Sequence, residues 1–133
     1  MEMSYADAKI IRESLPKLEI QIHKGVLTIL CLLLLKRKTM YGYELTREVK
    51  NTTENIIIVR EGTLYPILHR LEKRGLIESI WEKSSKGPPR RIYKLTNFGD
   101  QILKEVIRKY GKIFNKMIIL AQKNYGKLWK GEK

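Results

Sequence analysis

The segment from Glu61 to Leu95 constrains the fold most, because its residue pattern changes once along its length. Residues 61 to 74 predict a helix, with an inner stripe of apolar residues at helical spacing: Leu64, Ile67, Leu68 and Leu71. Gly75 follows, in the place where a glycine commonly ends a helix. Two β-forming runs come next, Ile77 to Glu82 and Arg91 to Leu95. The string SSKGPP between them suits neither a helix nor a central strand, so the two runs predict a hairpin.

Two apolar segments upstream also have helical character. A short helix is predicted from Tyr5 to Ser14, and Pro16 interrupts it or starts the next one. A strongly apolar helix follows from Glu19 to Lys36. Thr39 is the expected cap of another helix, from Tyr41 to Lys50. Apart from the short N-terminal helix, three helices therefore precede the hairpin, and the helix at residues 61 to 74 is the third of them.

The last predicted element is a long helix from Phe98 to Asn124, capped by Thr96 or Asn97. The expected fold is mainly α with a small β-hairpin: a winged helix-turn-helix followed by a long C-terminal dimerisation helix. We accordingly divide the chain into an N-terminal extension (1–18), a DNA-binding domain (19–96), the dimerisation helix (97–124) and a basic tail (125–133). We expect the tail to fray from Gly126 onward.

The composition is strongly basic, with 27 Lys and Arg residues against 14 Asp and Glu and a formal net charge of +13. This excess favours a polyanionic partner, nucleic acid or an anionic membrane, over a merely solvated lysine-rich surface. The most apolar run, Val26 to Leu35, is shorter than the roughly 20 residues that span a bilayer, and no signal peptide is recognisable. The single cysteine, Cys31, fits a reducing compartment. We expect a cytoplasmic protein that binds nucleic acid and no membrane.

The third helix carries the residues best suited to reading DNA. Recognition helices contact bases mostly through their N-terminal residues, and here the first turn presents Thr63, Tyr65 and Pro66 outward. The Thr63 hydroxyl can bond a base edge and its methyl can touch a thymine methyl. His69, Arg70 and Lys73 follow on the outer face, in reach of phosphates or guanine edges. An ordinary solvated helix face has the same composition, so this helix alone leaves both interpretations open.

The tip of the hairpin favours DNA binding. Lys86, Arg90 and Arg91 surround Gly87, Pro88 and Pro89. The prolines stiffen the loop, so less conformational entropy is lost when it docks. Cationic side chains on a stiff protruding tip suit a narrow minor groove or the flanking phosphates.

Several short motifs combine into a recognisable pattern over residues 22 to 100. They are YGYEL at 41–45, GTLYP at 62–66 with Leu68, Arg70, Leu71 and Glu72, then GLI at 75–77, Trp81, GPPRR at 87–91, Tyr93, Leu95, Thr96 and Gly99. This pattern resembles the PadR family of transcriptional regulators. The resemblance implies a winged helix-turn-helix, a homodimer built from the N-terminal and C-terminal helices, and regulators that are typically repressors, some of them responsive to small molecules.

The resemblance also places the region before the third helix near DNA. It implies that Tyr41 lies near the DNA backbone or packs the second helix onto the third, and it favours the packing role for Tyr43. We add Lys38 and Thr39 to the candidate DNA contacts. The first 20 residues and the tail from Gly126 lie outside the match. The single C-terminal helix is typical of the short members, so a separate ligand domain is not expected.

The long C-terminal helix carries an apolar stripe that exceeds the needs of a three-helix core. We expect this stripe to pair with the apolar helix 19–36 of a second copy. The candidate dimer residues are Leu27, Leu30, Leu34, Ile102, Val106, Tyr110, Ile113, Met117 and Leu120.

Catalytic and metal-binding patterns are missing from the sequence. His23, His69 and Cys31 are scattered, and no Cys-x-x-Cys pair, His-Glu-x-x-His motif or glycine-rich phosphate loop occurs. We expect no enzyme activity, no metal and no cofactor. The predicted function is a sequence-specific regulator, with a nonspecific architectural DNA-binding protein as the alternative. A protein-interaction module that kept the fold and a small-molecule sensor are the other classes considered.

Overall fold

The computed structural model describes residues 2–130. The elements are α1 (Tyr5–Arg37), β1 (Met40–Tyr41), α2 (Gly42–Thr52), α3 (Glu61–Lys73), β2 (Ile77–Glu82), β3 (Arg90–Leu95) and α4 (Asn97–Trp129). The strands form one antiparallel sheet in the order β1-β3-β2. This mainly helical architecture with a small sheet confirms the predicted fold class. β1 was not predicted, because two residues are too few to show a periodic pattern.

The first helix is continuous, which corrects the predicted division at Pro16. Ser4 caps it through a reciprocal pair of hydrogen bonds with Asp7, and Pro16 lies inside the helix. A proline in this position removes one backbone hydrogen bond without forbidding the helical φ of its own residue. By length and composition alone, α1 could cross a membrane, a test that the core helices of many soluble proteins also pass.

Two predicted caps have different outcomes. Thr39 does not cap α2, since Tyr41 is the N-cap residue and the Glu44 carboxylate accepts a hydrogen bond from the Tyr41 backbone N–H. Thr39 instead precedes β1, whose pairing with β3 fixes the chain in an extended conformation before α2. Thr96 does cap α4, and its hydroxyl accepts the Gly99 backbone N–H at 2.9 Å.

The end of α3 follows the sequence prediction. Gly75 has a φ of +76°, and its N–H and that of Leu76 donate to the carbonyls of Glu72 and Leu71, respectively. These paired bonds are the Schellman arrangement, in which glycine avoids the steric penalty of the left-handed region. The chain then turns directly into β2, so the hairpin begins close beside α3.

The core lies where the C-terminal half of α1 packs on α2, α3 and the sheet. Its fully buried side chains include Cys31, Met40, Leu45, Val49, Leu64 and Ile77. Only Gly99 and Leu103 of α4 are buried, and α1 buries no residue before Leu27. The outer parts of the two long helices therefore project from this core.

The C-terminal helix is longer than predicted. It runs to Trp129 rather than ending at Asn124, with a local kink at Tyr125, where φ is −138° and ψ is 37°. The expected fraying from Gly126 is thus wrong for residues 126–129. Residues 131–133 of the predicted tail lie outside the described residues.

Candidate nucleic-acid interface

The third helix presents the predicted reading residues on its solvent side. Its inner stripe of Leu64, Ile67, Leu68 and Leu71 is buried, which turns the remaining positions outward. Thr63, Tyr65, Pro66, His69, Arg70 and Lys73 are all exposed. Tyr65 and His69 stack one turn apart, with ring centroids 6.4 Å from each other. Pro66 is the sixth residue of α3 and lacks the N–H that would donate to the Gly62 carbonyl, so the helix continues past it with one backbone hydrogen bond fewer.

The wing rises beside this helix. Glu82 pairs with Arg90 at the loop end of the β2–β3 hairpin, and residues 83–89 form the tip that connects them. Lys86, Gly87 and Pro88 are exposed on that tip. The Arg90 guanidinium lies over the ring of Tyr43 from α2, 5.5 Å from its centroid. The wing therefore contacts α2 through one arginine and keeps its tip free.

Arg91 is placed differently from its neighbour. Its side chain is 24 % exposed and turns toward α3 instead of toward the wing tip. Its Nη1 donates to the Tyr65 hydroxyl at 2.8 Å, its Nη2 to the Glu72 carboxylate at 3.1 Å, and its Nε to the Ser79 hydroxyl at 2.8 Å. Ser79 in turn donates to Glu72. Arg91 thus joins β3, β2 and the recognition helix, which its prediction as a phosphate contact did not anticipate.

The residues before α2 lie at the edge of the same surface. Tyr41 stacks on Tyr43 with ring centroids 5.7 Å apart, and its hydroxyl donates to the Glu82 carboxylate on the wing. This hydrogen bond, together with partial desolvation, raises the pKa of the Tyr41 hydroxyl above its usual value of 10.0. Tyr41 therefore stays protonated at physiological pH and can still accept a hydrogen bond. Lys38 and Thr39 are exposed nearby, with the Lys38 ammonium 3.7 Å from Glu44.

An open pocket of about 620 Å³ lies between α2, the start of α3 and the wing. Aromatic side chains of both helical and strand elements line it, along with Glu61 and the two wing arginines. Aromatic faces can pack against apolar sugar surfaces, and guanidinium groups can donate paired hydrogen bonds to phosphate oxygens. Among residues 2–130, no group of three or more His, Cys, Asp or Glu side chains is placed to hold a metal ion.

Comparison with known proteins identifies this arrangement. Residues 29–105 match the transcriptional regulator PadR-like family. The chain belongs to the PadR-like family. A relative from Lysinibacillus sphaericus is 35 % identical over 92 residues, which cover 69 % of this chain and 84 % of the relative. The match makes the protein a winged-helix transcriptional regulator and not an enzyme.

Solved PadR structures share the fold. A PadR-like transcription factor from Bacteroides fragilis is 33 % identical, with a TM-score of 0.66 over 78 % of this chain and 98 % of the other. The PadR of Bacillus subtilis, solved in complex with operator DNA, is 26 % identical with a TM-score of 0.56. That match covers 62 % of this chain and 46 % of the Bacillus subtilis protein.

The candidate dimer residues of this PadR-like chain fall into two groups. Leu27 and Leu34 are each 3 % exposed, so their side chains are already used in the core of their own domain, which corrects their assignment to a dimer contact. Leu30, Ile102 and Val106 are partly buried, and Leu30 and Ile102 pack against that core. By contrast, the outer stripe of α4 is exposed at Tyr110, Ile113, Met117 and Leu120.

Sequence reasoning missed the polar residues that hold the wing. Glu72 and Ser79 were given no role, and Glu82 was read only as a strand end. Glu72 and Arg91 are 19 residues apart in different elements, and no local spacing rule links them. The exposed apolar residues of α1 before residue 19, such as Ile10, Ile11 and Leu15, were also missed, because Pro16 suggested that the helix was broken there.

Proposed function

We propose that this PadR-like regulator is a repressor that binds a pseudo-palindromic operator as a homodimer, with α3 in the major groove and the wing on the backbone or in the minor groove. The observation that carries the proposal is the shared face of α3 and the wing. Tyr65 and Arg91 meet at 2.8 Å, so the outer side of α3 and the basic hairpin form one continuous surface. This is the layout by which a winged helix-turn-helix holds DNA.

The two parts of the surface are assigned different tasks. Thr63, Tyr65 and Pro66 lie in the N-terminal part of α3, from which recognition helices reach base edges, and His69 stacks on Tyr65 one turn further along. The peripheral candidates contact phosphates and so fix register without reading sequence. They are Lys38, Thr39, Tyr41, Arg70, Lys73, Lys86, Gly87, Pro88 and Arg90.

The homodimer is proposed from the apolar surface that the fold leaves uncovered. On α4, Ile113 and Met117 are 45 % and 58 % exposed, and α1 exposes a row of large apolar residues before Val26. Contiguous exposed apolar surface of this kind marks an interaction site in a soluble protein. A second copy offers the same two helices, so each α4 can cover the α1 of its partner in a two-fold arrangement. This assignment also accounts for the apolar length of α1 without a membrane, and we place the protein in the cytoplasm.

The alternative function is nonspecific architectural DNA binding, which the net charge of +13 would support. Thr63 and Tyr65 are exposed on a helix whose inner side is fixed in the core, and this favours the sequence-specific function. Nonspecific binding by charge alone does not require such base-contacting side chains. The repressor role and the small-molecule effector rest on the family resemblance. Ligands that release the protein from its operator would identify such an effector.

Selection of bound duplexes from random-sequence DNA tests the proposal. A two-fold homodimer should return a pseudo-palindrome whose half-sites are separated by about one helical turn, roughly 34 Å, or a multiple of it. A pool without sequence enrichment would instead support the architectural alternative. Enrichment of a single half-site without symmetry would contradict the homodimer while leaving sequence reading intact.

A further inference from the structure

Arg91 lies where the buried face of the hairpin opens to solvent. On β2 and β3 the residues facing α3 alternate along each strand, with Ile77 and Tyr93 buried at the base and Trp81 exposed toward the tip. Arg91 is directly opposite Trp81 in the strand register, and its guanidinium carbon is 5.4 Å from the Trp81 ring centroid. Its position is thus fixed by packing on the sheet before any partner arrives.

The guanidinium group is already occupied on three sides. Nε, Nη1 and Nη2 each donate a hydrogen bond, to Ser79, Tyr65 and Glu72, respectively. Glu72 is 24 % exposed, the same as Arg91, and the charges of the two groups offset each other. A phosphate would have to compete with this carboxylate for the same cation. Arg90, one residue earlier, is exposed and has no carboxylate within ion-pairing distance among the described residues.

We propose that Arg91 is a positioning residue that sets operator specificity by locking the wing to α3 and by holding the Tyr65 side chain in its reading orientation. The inference rests on the proposed function, because it assumes that Tyr65 reads DNA. A tyrosine hydroxyl fixed by a hydrogen bond has fewer orientations to lose on binding, so the correct sequence gains more than a random one. Lysine cannot replace Arg91, since an ammonium group lacks the planar fork that reaches three acceptors.

Three variants separate positioning from phosphate binding. Each is measured on the duplex returned by selection and on a random duplex of equal length, at several salt concentrations. Arg91→Lys keeps the charge, and we expect the ratio of the two affinities to fall about 5- to 150-fold, the range for one lost base contact. Its salt slope should stay near that of the wild type. Arg90→Ala is the matched control, and it should weaken both duplexes alike and lower the slope by about 1.

Glu72→Gln separates the two roles of Arg91 most clearly, because the Glu72 carboxylate accepts a hydrogen bond from the Arg91 guanidinium. If Arg91 positions Tyr65, removing the Glu72 charge loosens the lock, and the affinity ratio falls as in Arg91→Lys. The double variant should then be no worse than either single one. If Arg91 binds phosphate, Glu72→Gln frees its charge, and affinity rises for both duplexes with the ratio unchanged. That result, or an unchanged ratio in Arg91→Lys, would overturn the proposal.

A spectroscopic readout tests the lock without DNA. The chain has two tryptophans, Trp81 on the wing and Trp129 near the end of α4, so Trp129→Phe leaves Trp81 as the single reporter. In that background, Arg91→Lys and Glu72→Gln should increase quenching of Trp81 by neutral acrylamide, while the far-UV circular dichroism spectrum remains that of the folded protein. Unchanged quenching would contradict the lock. If the wild type binds all DNA sequences equally, the proposed function is wrong. The quenching measurement still tests the contact between Arg91 and α3, because it uses no DNA.

Discussion

Gly99 lies where α4 begins against the end of α3. A Cβ atom at this position would lie 2.0 Å from the Leu76 carbonyl oxygen and 2.9 Å from the Leu95 Cδ1. The same carbonyl accepts hydrogen bonds from the backbone N–H and the hydroxyl of Thr96, so it is held in place from two sides. Glycine is therefore the residue that lets α4 start this close to the recognition unit.

Gly99→Ala should lower the free energy of unfolding by about 1–3 kcal/mol or more, the usual cost of forcing extra atoms into a packed site. Urea denaturation measures the change. Gly25→Ala is the matched control, because a Cβ there meets nothing within 4 Å, and alanine favours a helix over glycine by about 1 kcal/mol. Equal stability of the Gly99→Ala variant and the wild type would contradict the packing described here.

Cys31 is fully buried, and burial raises the pKa of its thiol to about 12. Only the thiolate reacts with disulfide reagents, so the folded protein should react at least about a thousandfold more slowly than the chain unfolded in guanidinium at the same pH. The reaction with an aromatic disulfide, followed by absorbance, tests this. Equal rates in the folded and unfolded states would show that the helix around Cys31 opens freely.

The residue-level features that could be predicted are those with a local cause. Gly75 ends α3 and Thr96 caps α4 because each acts on backbone groups within a few residues of itself. Arg91 was correctly placed on the wing, but its hydrogen-bond partners were not predicted. Its partners, Tyr65 and Glu72, approach it only after the hairpin has folded onto α3, and sequence spacing contains no signal for that approach.

At the scale of elements, α3 and the wing are assigned separate tasks. Thr63 is exposed in the first turn of α3. Thr63→Ala should therefore cost about 1–3 kcal/mol of operator binding per lost base contact and leave binding to random duplex unchanged. Fluorescence anisotropy on both duplexes provides the measurement.

Lys73→Ala is the companion variant, near the C-terminal end of the same helix. It should weaken operator and random duplex alike and lower the salt slope by about 1. An equal loss on both duplexes in Thr63→Ala would remove the base-reading role from the first turn of α3.

Element boundaries were predictable where the hydrophobic periodicity and the turn-forming residues indicated the same position. The β2 strand matches the prediction because turn-forming residues, Gly75 before it and the string SSKGPP after it, enclose a clear pattern. The division of α1 at Pro16 was wrong, since the caps and apolar positions on either side support one helix across a single missing hydrogen bond. The end of α4 was placed too early, because the basic composition of 126–130 was taken as a sign of fraying.

At the scale of the whole molecule, the two long helices determine the expected assembly. Ile113→Asp with Met117→Asp introduces two charges into the proposed contact, where burying an unpaired charge costs several kcal/mol, roughly 3–5. Analytical ultracentrifugation should show monomers for this variant and dimers for the wild type. Operator affinity should fall as well, although α3 is unchanged.

Gln101→Asp with Asn115→Asp is the matched control, with the same change of net charge on an exposed polar stripe of α4. It should remain dimeric and keep operator binding close to that of the wild type. If the Ile113 and Met117 variant is also dimeric, the dimer is built elsewhere. If the wild type remains soluble only with detergent, the apolar surface of α1 serves a membrane instead of a second copy.

The central claim, that a basic dimer reads one DNA sequence, is tested most directly by one titration. The affinities of the wild type for its selected duplex and for random duplex are measured between 50 and 200 mM salt. A dimer that contacts about 6–10 phosphates should lose roughly 10³- to 10⁵-fold in affinity over this range on the selected duplex. At physiological salt it should still prefer that duplex at least about 10³-fold. A flat salt response, or equal affinity for both duplexes, would contradict the account.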